Sequence, residues 1–212
     1  MHDLPFLLEG LRVTVEVCLG SFVGASTLGT LIGLGLLSQM RVISTICLVY
    51  VNVFRNTPFL VQLVWFYYVL PILTGFSLGI AEAGVLALSL YTASYVAEVL
   101  RSGILSVGKG QHDAASALGM TSTQRLRRII LPQALIYMLP VLVSLLVTMI
   151  KDSALTSVIG LPELLYSSEV VAASTLHDLS AFTVAGVLYF VVTYPLTLLG
   201  NRLQRRMQFE HH

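Results

Sequence analysis

Five long apolar stretches separated by short polar ones set the ground plan of this chain: about 11–37, 58–73, 80–100, 130–150 and 179–200. The hydrocarbon core of a bilayer, ~30 Å thick, takes about 20 helical residues, so each stretch reads as a membrane-spanning helix. The second is the shortest. Before it lies an apolar run, 42–54, too short to cross alone, which reads as a short helix near the membrane surface. Arg55-Asn56-Thr57-Pro58 ends that run, and Pro58 holds Thr57 extended while suiting the first turn of a new helix. In the first span, Gly20, Gly24, Gly29 and Gly33 form two small-xxx-small pairs that admit a close neighbouring backbone. Gly75 to Gly79 makes a turn, Pro140 predicts a kink, and residues 153–178 are too polar to span and predict a short helix with loops.

Composition agrees with that pattern. Of 212 residues, 56% are hydrophobic and 11% charged, against roughly 25% charged in a soluble domain, and the mean hydropathy is +0.84. The chain is all-α, a polytopic membrane protein with one transmembrane domain over 1–212. Its basic residues sit at helix ends rather than in a surface stripe, which argues against nucleic acid as a partner and leaves the lipid bilayer. Cys18 and Cys47 lie in apolar sequence without metal-ligand spacing and read as small hydrophobes. No Lys or Arg precedes Arg12, so the first stretch lacks the basic start of a signal peptide and stays a span. His211 and His212 resemble the start of an affinity tag, and no function is read from them.

Charge gives the expected orientation. With five spans and the N-terminus outside, Arg41, Arg55, Arg101, Lys109, Arg125, Arg127, Arg128, Arg202, Arg205 and Arg206 fall inside, and only Arg12 and Lys151 fall outside. Basic residues favour the cytoplasmic side. The C-terminus and the loop of about 101–129 are therefore expected in the cytoplasm.

That loop holds a polar, helix-capable island, QHDAASALGMTSTQRLRRIILPQA, from Gln111 to Ala134. Gln111 to Leu118 predicts a helix with Asp113 in its first turn, and Gly119 is the natural left-handed stop. Thr121 and Gln124 match a capping box that starts a second helix, and Pro132 suits the first turn of the membrane helix that follows. Ala114, Ala115 and Ala117 keep the first helix slim enough for a partner's groove, with Leu118 and Met120 as anchors. The other reading is a plain connection whose arginines anchor topology; His112 then reads as a surface residue. Nearby, GILSVGKG at 103–110 nearly matches a phosphate-binding loop but ends in Gly110, without a hydroxyl for magnesium, and follows a membrane helix rather than a strand.

Inside the third span Tyr91, Tyr95, Glu98 and Ser102 recur at helical spacing and make one polar stripe. Ionisable residues at membrane depth usually face a bundle interior or cavity, so the tyrosines of the stripe read as a wall of a solute path; Glu98, a candidate for that wall, reads more readily as the partner of Arg101. Asp152 and Gln62 are further candidates for the path, Lys151 reads as a snorkelling charge at a helix end, and Asn52 is weaker.

Asp113-Ala114-Ala115, three residues, Gly119, nine residues, then Ile129-Ile130-Leu131-Pro132 resembles the E-A-A, G, I-x-L-P loop of ABC importer permeases at every spacing. The departure is Asp113 for glutamate, which keeps the charge and loses a methylene. FRNTPFLVQL at 54–63, YVAEVLRSGILSVGKGQ at 95–111, LPQAL at 131–135 and KDSAL at 151–155 resemble the polar amino-acid uptake branch of that family. The likeness covers residues 11–207. It implies a type I importer transmembrane domain in a bacterial inner membrane, with no catalysis and no cofactor or metal of its own. It also implies an ATPase dimer carrying ATP and magnesium, a second permease (identical or homologous), an extracytoplasmic solute-binding protein and an amino-acid substrate. The ATPase contact would fall on Gln111, Asp113, Ala114, Ala115, Leu118, Gly119, Met120, Ile129, Leu131 and Pro132. Two rivals fit less well. A secondary transporter should show inverted repeats, and no repeat is found; a membrane adaptor would not need the polar stripe.

Overall fold

The computed structural model describes residues 4–209, with side chains through Arg205; Asp3 and the terminal His211 and His212 lie outside the described residues. The helices are α1 (Leu4–Leu36), α2 (Arg41–Asn56), α3 (Phe59–Thr74), α4 (Ile80–Ser106), α5 (Lys109–Ala117), α6 (Ser122–Ile159), α7 (Leu164–Thr175) and α8 (Asp178–Phe209). Helices α1, α4, α6 and α8 are each long and apolar enough to cross a membrane. Helices α2 and α3, bent by 106° at Thr57-Pro58, have the length and apolarity of a fifth span only as a pair. Helix α2 also packs on the bundle. Val51 is buried with Leu36 and Ala97, and the Tyr50 hydroxyl donates to the Leu90 carbonyl at 2.7 Å.

Helix α4 is the centre of the bundle, buried on most sides, and α1 runs parallel to it. The glycines of α1 make this closeness possible. A Cβ at Gly24 would stand 2.7 Å from Ser89 Oγ, one at Gly29 2.6 Å from Val96 Cβ, and one at Gly33 2.8 Å from the Ala97 carbonyl. Positions rise together along both helices, and Ser21 and Ser89 each donate to a backbone carbonyl across the seam, at 3.4 and 3.3 Å.

Two turns widen from α to π geometry, Trp65–Val69 in α3 and Leu126–Ile130 in α6. Each ends two residues before a proline, Pro71 and Pro132. Proline lacks the N–H that would reach the carbonyl four residues back, and its ring crowds that carbonyl. The turn opens instead, and the N–H groups of Leu70 and Leu131 bond to Trp65 and Leu126, five residues back. Pro140 sits within α6 without interrupting the helix, Ser144 Oγ donating to its carbonyl at 3.0 Å.

Residues 153–178 fold as expected into a short 3₁₀ stretch, Ser153–Ile159, and the short helix α7. Helix α7 is stapled to the bundle by Glu163. This fully buried carboxylate accepts from the N–H groups of Leu165 (2.9 Å) and Tyr166 (2.8 Å) and from the Tyr189 hydroxyl of α8 (2.6 Å). Thr14 of α1 accepts the next free N–H, that of Leu164, at 3.1 Å. Burial pushes the Glu163 carboxyl above the ordinary carboxylate range, against the lowering effect of its donors.

Candidate functional site: an exposed helix corner and an interhelical pocket

The polar island forms a helix, a corner and a second helix. Helix α5 begins at Lys109 behind Gly108, two residues before the expected start, so Asp113 lies in its second turn rather than its first. GILSVGKG is the helical end of α4 running into α5, so no strand precedes it. The corner is a full Schellman motif. Gly119, at φ +71°, donates its N–H to the Ser116 carbonyl (3.0 Å), and Met120 donates to Ala115 (3.1 Å).

The capping box then starts α6: Gln124 N–H donates to Thr121 Oγ1 at 3.3 Å, and Thr121 N–H to Gln124 Oε1 at 3.0 Å. Ser116 and Arg125 brace the two arms of the corner. Arg125 Nη1 donates to Ser116 Oγ at 2.9 Å, and that hydroxyl donates to the His112 carbonyl at 2.9 Å. This brace was not foreseen; its only sequence signal is the arginine one turn into the second arm.

What the corner shows to solvent is specific. Gln111, Asp113, Ala114 and Gly119 are exposed, and Leu118 is 79% exposed at the tip, while Ala115 is fully buried and Met120 half-buried. A Cβ at Gly119 would meet nothing within 4 Å, so that surface is open. Ile129, Leu131 and Pro132 lie at the root, where Ile130 and Ala134 pack with Leu100, Ile104, Val107 and Met138. From Ser122 to Asp152 the backbone is helical throughout, so the corner sits on the end of a continuous rod.

The second feature is a pocket of about 170 Å³ between α4 and α6, lined by Tyr91, Thr92, Tyr95, Leu145, Thr148, Met149 and Asp152. Tyr91, Tyr95 and Asp152, all expected along a path, meet here. The Tyr91 and Tyr95 hydroxyls are 3.0 Å apart, and Arg55 of α2 stands over the Tyr95 ring at 5.1 Å, a cation–π contact. Lys151, next to Asp152, is exposed. Glu98, Ser102 and Gln62 are engaged elsewhere. Glu98 pairs with Arg101 at 3.0 Å, both partly exposed, and its carbonyl accepts from Ser102. Gln62 is buried at the bend between α2 and α3. Among the described residues there is no cluster of metal-ligating side chains.

Comparison with known proteins matches residues 25–209 to the family described as binding-protein-dependent transport system inner membrane component. The arginine transport system permease protein ArtQ of Bacillus subtilis (strain 168) is 37% identical over 206 residues, covering 97% of this chain and 94% of the relative. The glutamate transport system permease protein GluD of Corynebacterium glutamicum is 37% identical, covering 96% and 75%. Among solved structures, an amino acid ABC transporter with histidines matches with a TM-score of 0.90 at 33% identity, covering 95% of this chain and 94% of the other. The inward-facing MetNI methionine ABC transporter matches in fold, with a TM-score of 0.77 at 23% identity.

Proposed function

The chain belongs to the binding-protein-dependent transport system inner membrane component family, and from that premise we propose that it moves amino acids of the polar class into the cytoplasm by alternating access, driven by a separate ATPase seated on the corner of α5 and α6. The relatives are permeases named for arginine and glutamate, so the class is supported without a single substrate. The observation that carries the coupling role is the open, Schellman-capped corner on the end of an unbroken helical rod. Gln111, Asp113, Ala114, Leu118 and Gly119 form the contact surface. Ala115 and Met120 hold its shape, and Ile129, Leu131 and Pro132 seat it on the bundle. The chain hydrolyses nothing; ATP and magnesium belong to the partner ATPase dimer, and a second permease and an extracytoplasmic solute-binding protein complete the assembly.

Within the bundle, the pocket at Tyr91, Tyr95 and Asp152 is the stretch of path this chain contributes. A carboxylate suits the ammonium of an amino acid, and the tyrosine hydroxyls supply neutral hydrogen bonds that bind without trapping. Orientation follows the charge balance, with the corner in the cytoplasm and α7 outside. The experiment is uptake of labelled amino acids in proteoliposomes containing the complete transporter. Uptake should require the ATPase and fall when Asp152 is replaced by asparagine; uptake by this chain without any ATPase would sink the coupling role.

A further inference from the structure

The bend between α2 and α3 is bridged by Gln62, and the Phe54 and Phe66 rings stack across it with centroids 6.5 Å apart. A continuing helix would use the N–H of residue 58 to satisfy the Phe54 carbonyl, but Pro58 has none. Gln62 supplies the donor instead. Its amide nitrogen reaches the Phe54 carbonyl at 2.8 Å and the Thr57 carbonyl at 2.9 Å, bridging the two sides of the break from a buried position. Both partners are carbonyl oxygens, so the orientation of the amide is fixed by its contacts. The cost is at the other atom. Gln62 Oε1 is a buried side-chain acceptor without a partner among the described residues, and such groups are expensive to leave unmade.

Each side of the same break touches a tyrosine of the pocket. Before it, Arg55 covers the Tyr95 ring at 5.1 Å. After it, the Phe59 ring centroid lies 5.4 Å from that of Tyr91. The two tyrosines are joined through their hydroxyls. A change in the angle between α2 and α3 therefore pulls on Tyr95 from one side and Tyr91 from the other.

Resting on the reading of that pocket as the solute path, we infer that the α2–α3 break is a hinge latched by Gln62, whose angle sets the positions of Tyr91 and Tyr95 at the pocket wall. Gln62 is a positioning residue and does not touch the solute. The latch is poised rather than locked: its nitrogen gains two bonds while its oxygen goes without, so the bent state is a shallow minimum.

The test uses the complete transporter in liposomes, with Cys18 and Cys47 replaced by alanine and spin labels at the exposed positions Val49 and Ile72. Wild type should give one label distance without nucleotide and a shifted one when trapped with ADP and vanadate. Gln62→Met, which keeps the volume and removes the donor, should populate the shifted distance without nucleotide. The expected change in the population ratio is about five- to tenfold, the effect of losing one net hydrogen bond, with uptake falling while ATP hydrolysis continues. Identical wild-type distances in both states would overturn the hinge, as would wild-type distances in Gln62→Met. If that variant does not assemble, the wild-type pair of measurements decides alone. Asp152→Asn separates the two readings: uptake unaffected by it removes the path and leaves the hinge distances standing, whereas lost uptake with unmoving labels removes only the hinge.

Discussion

At the scale of single residues, the corner depends most on Gly119. Its φ of +71° lies where a Cβ crowds the following carbonyl, a penalty of about 1–2 kcal/mol for an ordinary residue. Among the described residues, none beyond its chain neighbours stands within 4 Å of the missing Cβ, so Gly119→Ala should leave the bundle folded. Gly119→Asp adds a charge to the proposed contact surface and should leave membrane insertion intact while abolishing ATPase-coupled uptake. Normal uptake by that variant would place the ATPase elsewhere. Glu163 makes the contrasting case at the other end. Replacing it with glutamine leaves one acceptor oxygen for three donors and should lower stability by about 1–3 kcal/mol, read as thermal unfolding in detergent. An unchanged midpoint would mean that the staple contributes nothing.

At the scale of elements, hydrophobic spacing made four long apolar helices legible because their run lengths match the bilayer, whereas the stretch 58–73 reaches that length only together with α2. The corner was legible for a different reason: Gly119, Thr121 and Gln124 act on their immediate neighbours, and local hydrogen bonds are written locally. What escaped were contacts between distant parts of the chain. Nothing near Glu163 announces Tyr189, and nothing near Asp152 announces Tyr91; both depend on how α4, α6 and α8 meet. The π turns had a local signal, a proline two residues on, yet the same residue type at Pro140 does not interrupt its helix. That of α6 bears on the proposed coupling because it lies between the corner and the long apolar part of the helix. A π turn holds one residue more than an α turn, and closing it would rotate the corner by about 100° against the span. Pro132→Ala should therefore keep helicity and insertion but lower uptake per ATP hydrolysed, measured side by side in proteoliposomes. Unchanged coupling would show that the turn stays open without the proline, or that the corner tolerates rotation.

For the whole molecule, the two ends of the bundle are built differently. One gathers Leu100, Ile104, Val107, Ile130, Ala134 and Met138 under the corner. The other gathers Leu7, Leu164, Val171, Ala172, Ala181 and Ala185 around α7. Arg41, Arg101, Lys109, Arg125, Arg127, Arg128, Arg202 and Arg205 belong to the first end and Arg12 and Lys151 to the second, while Arg55, expected with the first group, stands instead over the Tyr95 ring. The positive-inside tendency supports the proposed orientation, with the corner on the cytoplasmic side and α7 on the opposite one. Two exposed leucines make this testable. Leu118 at the tip of the corner is 79% exposed, and Leu179 at the start of α8 is 86% exposed. With Cys18 and Cys47 replaced by alanine, a membrane-impermeant thiol reagent added to intact cells should label Leu179→Cys and spare Leu118→Cys. Inverted vesicles should reverse the pattern. Labelling of Leu118→Cys from outside intact cells would turn the molecule over, and a corner facing outward could not meet an ATPase at all.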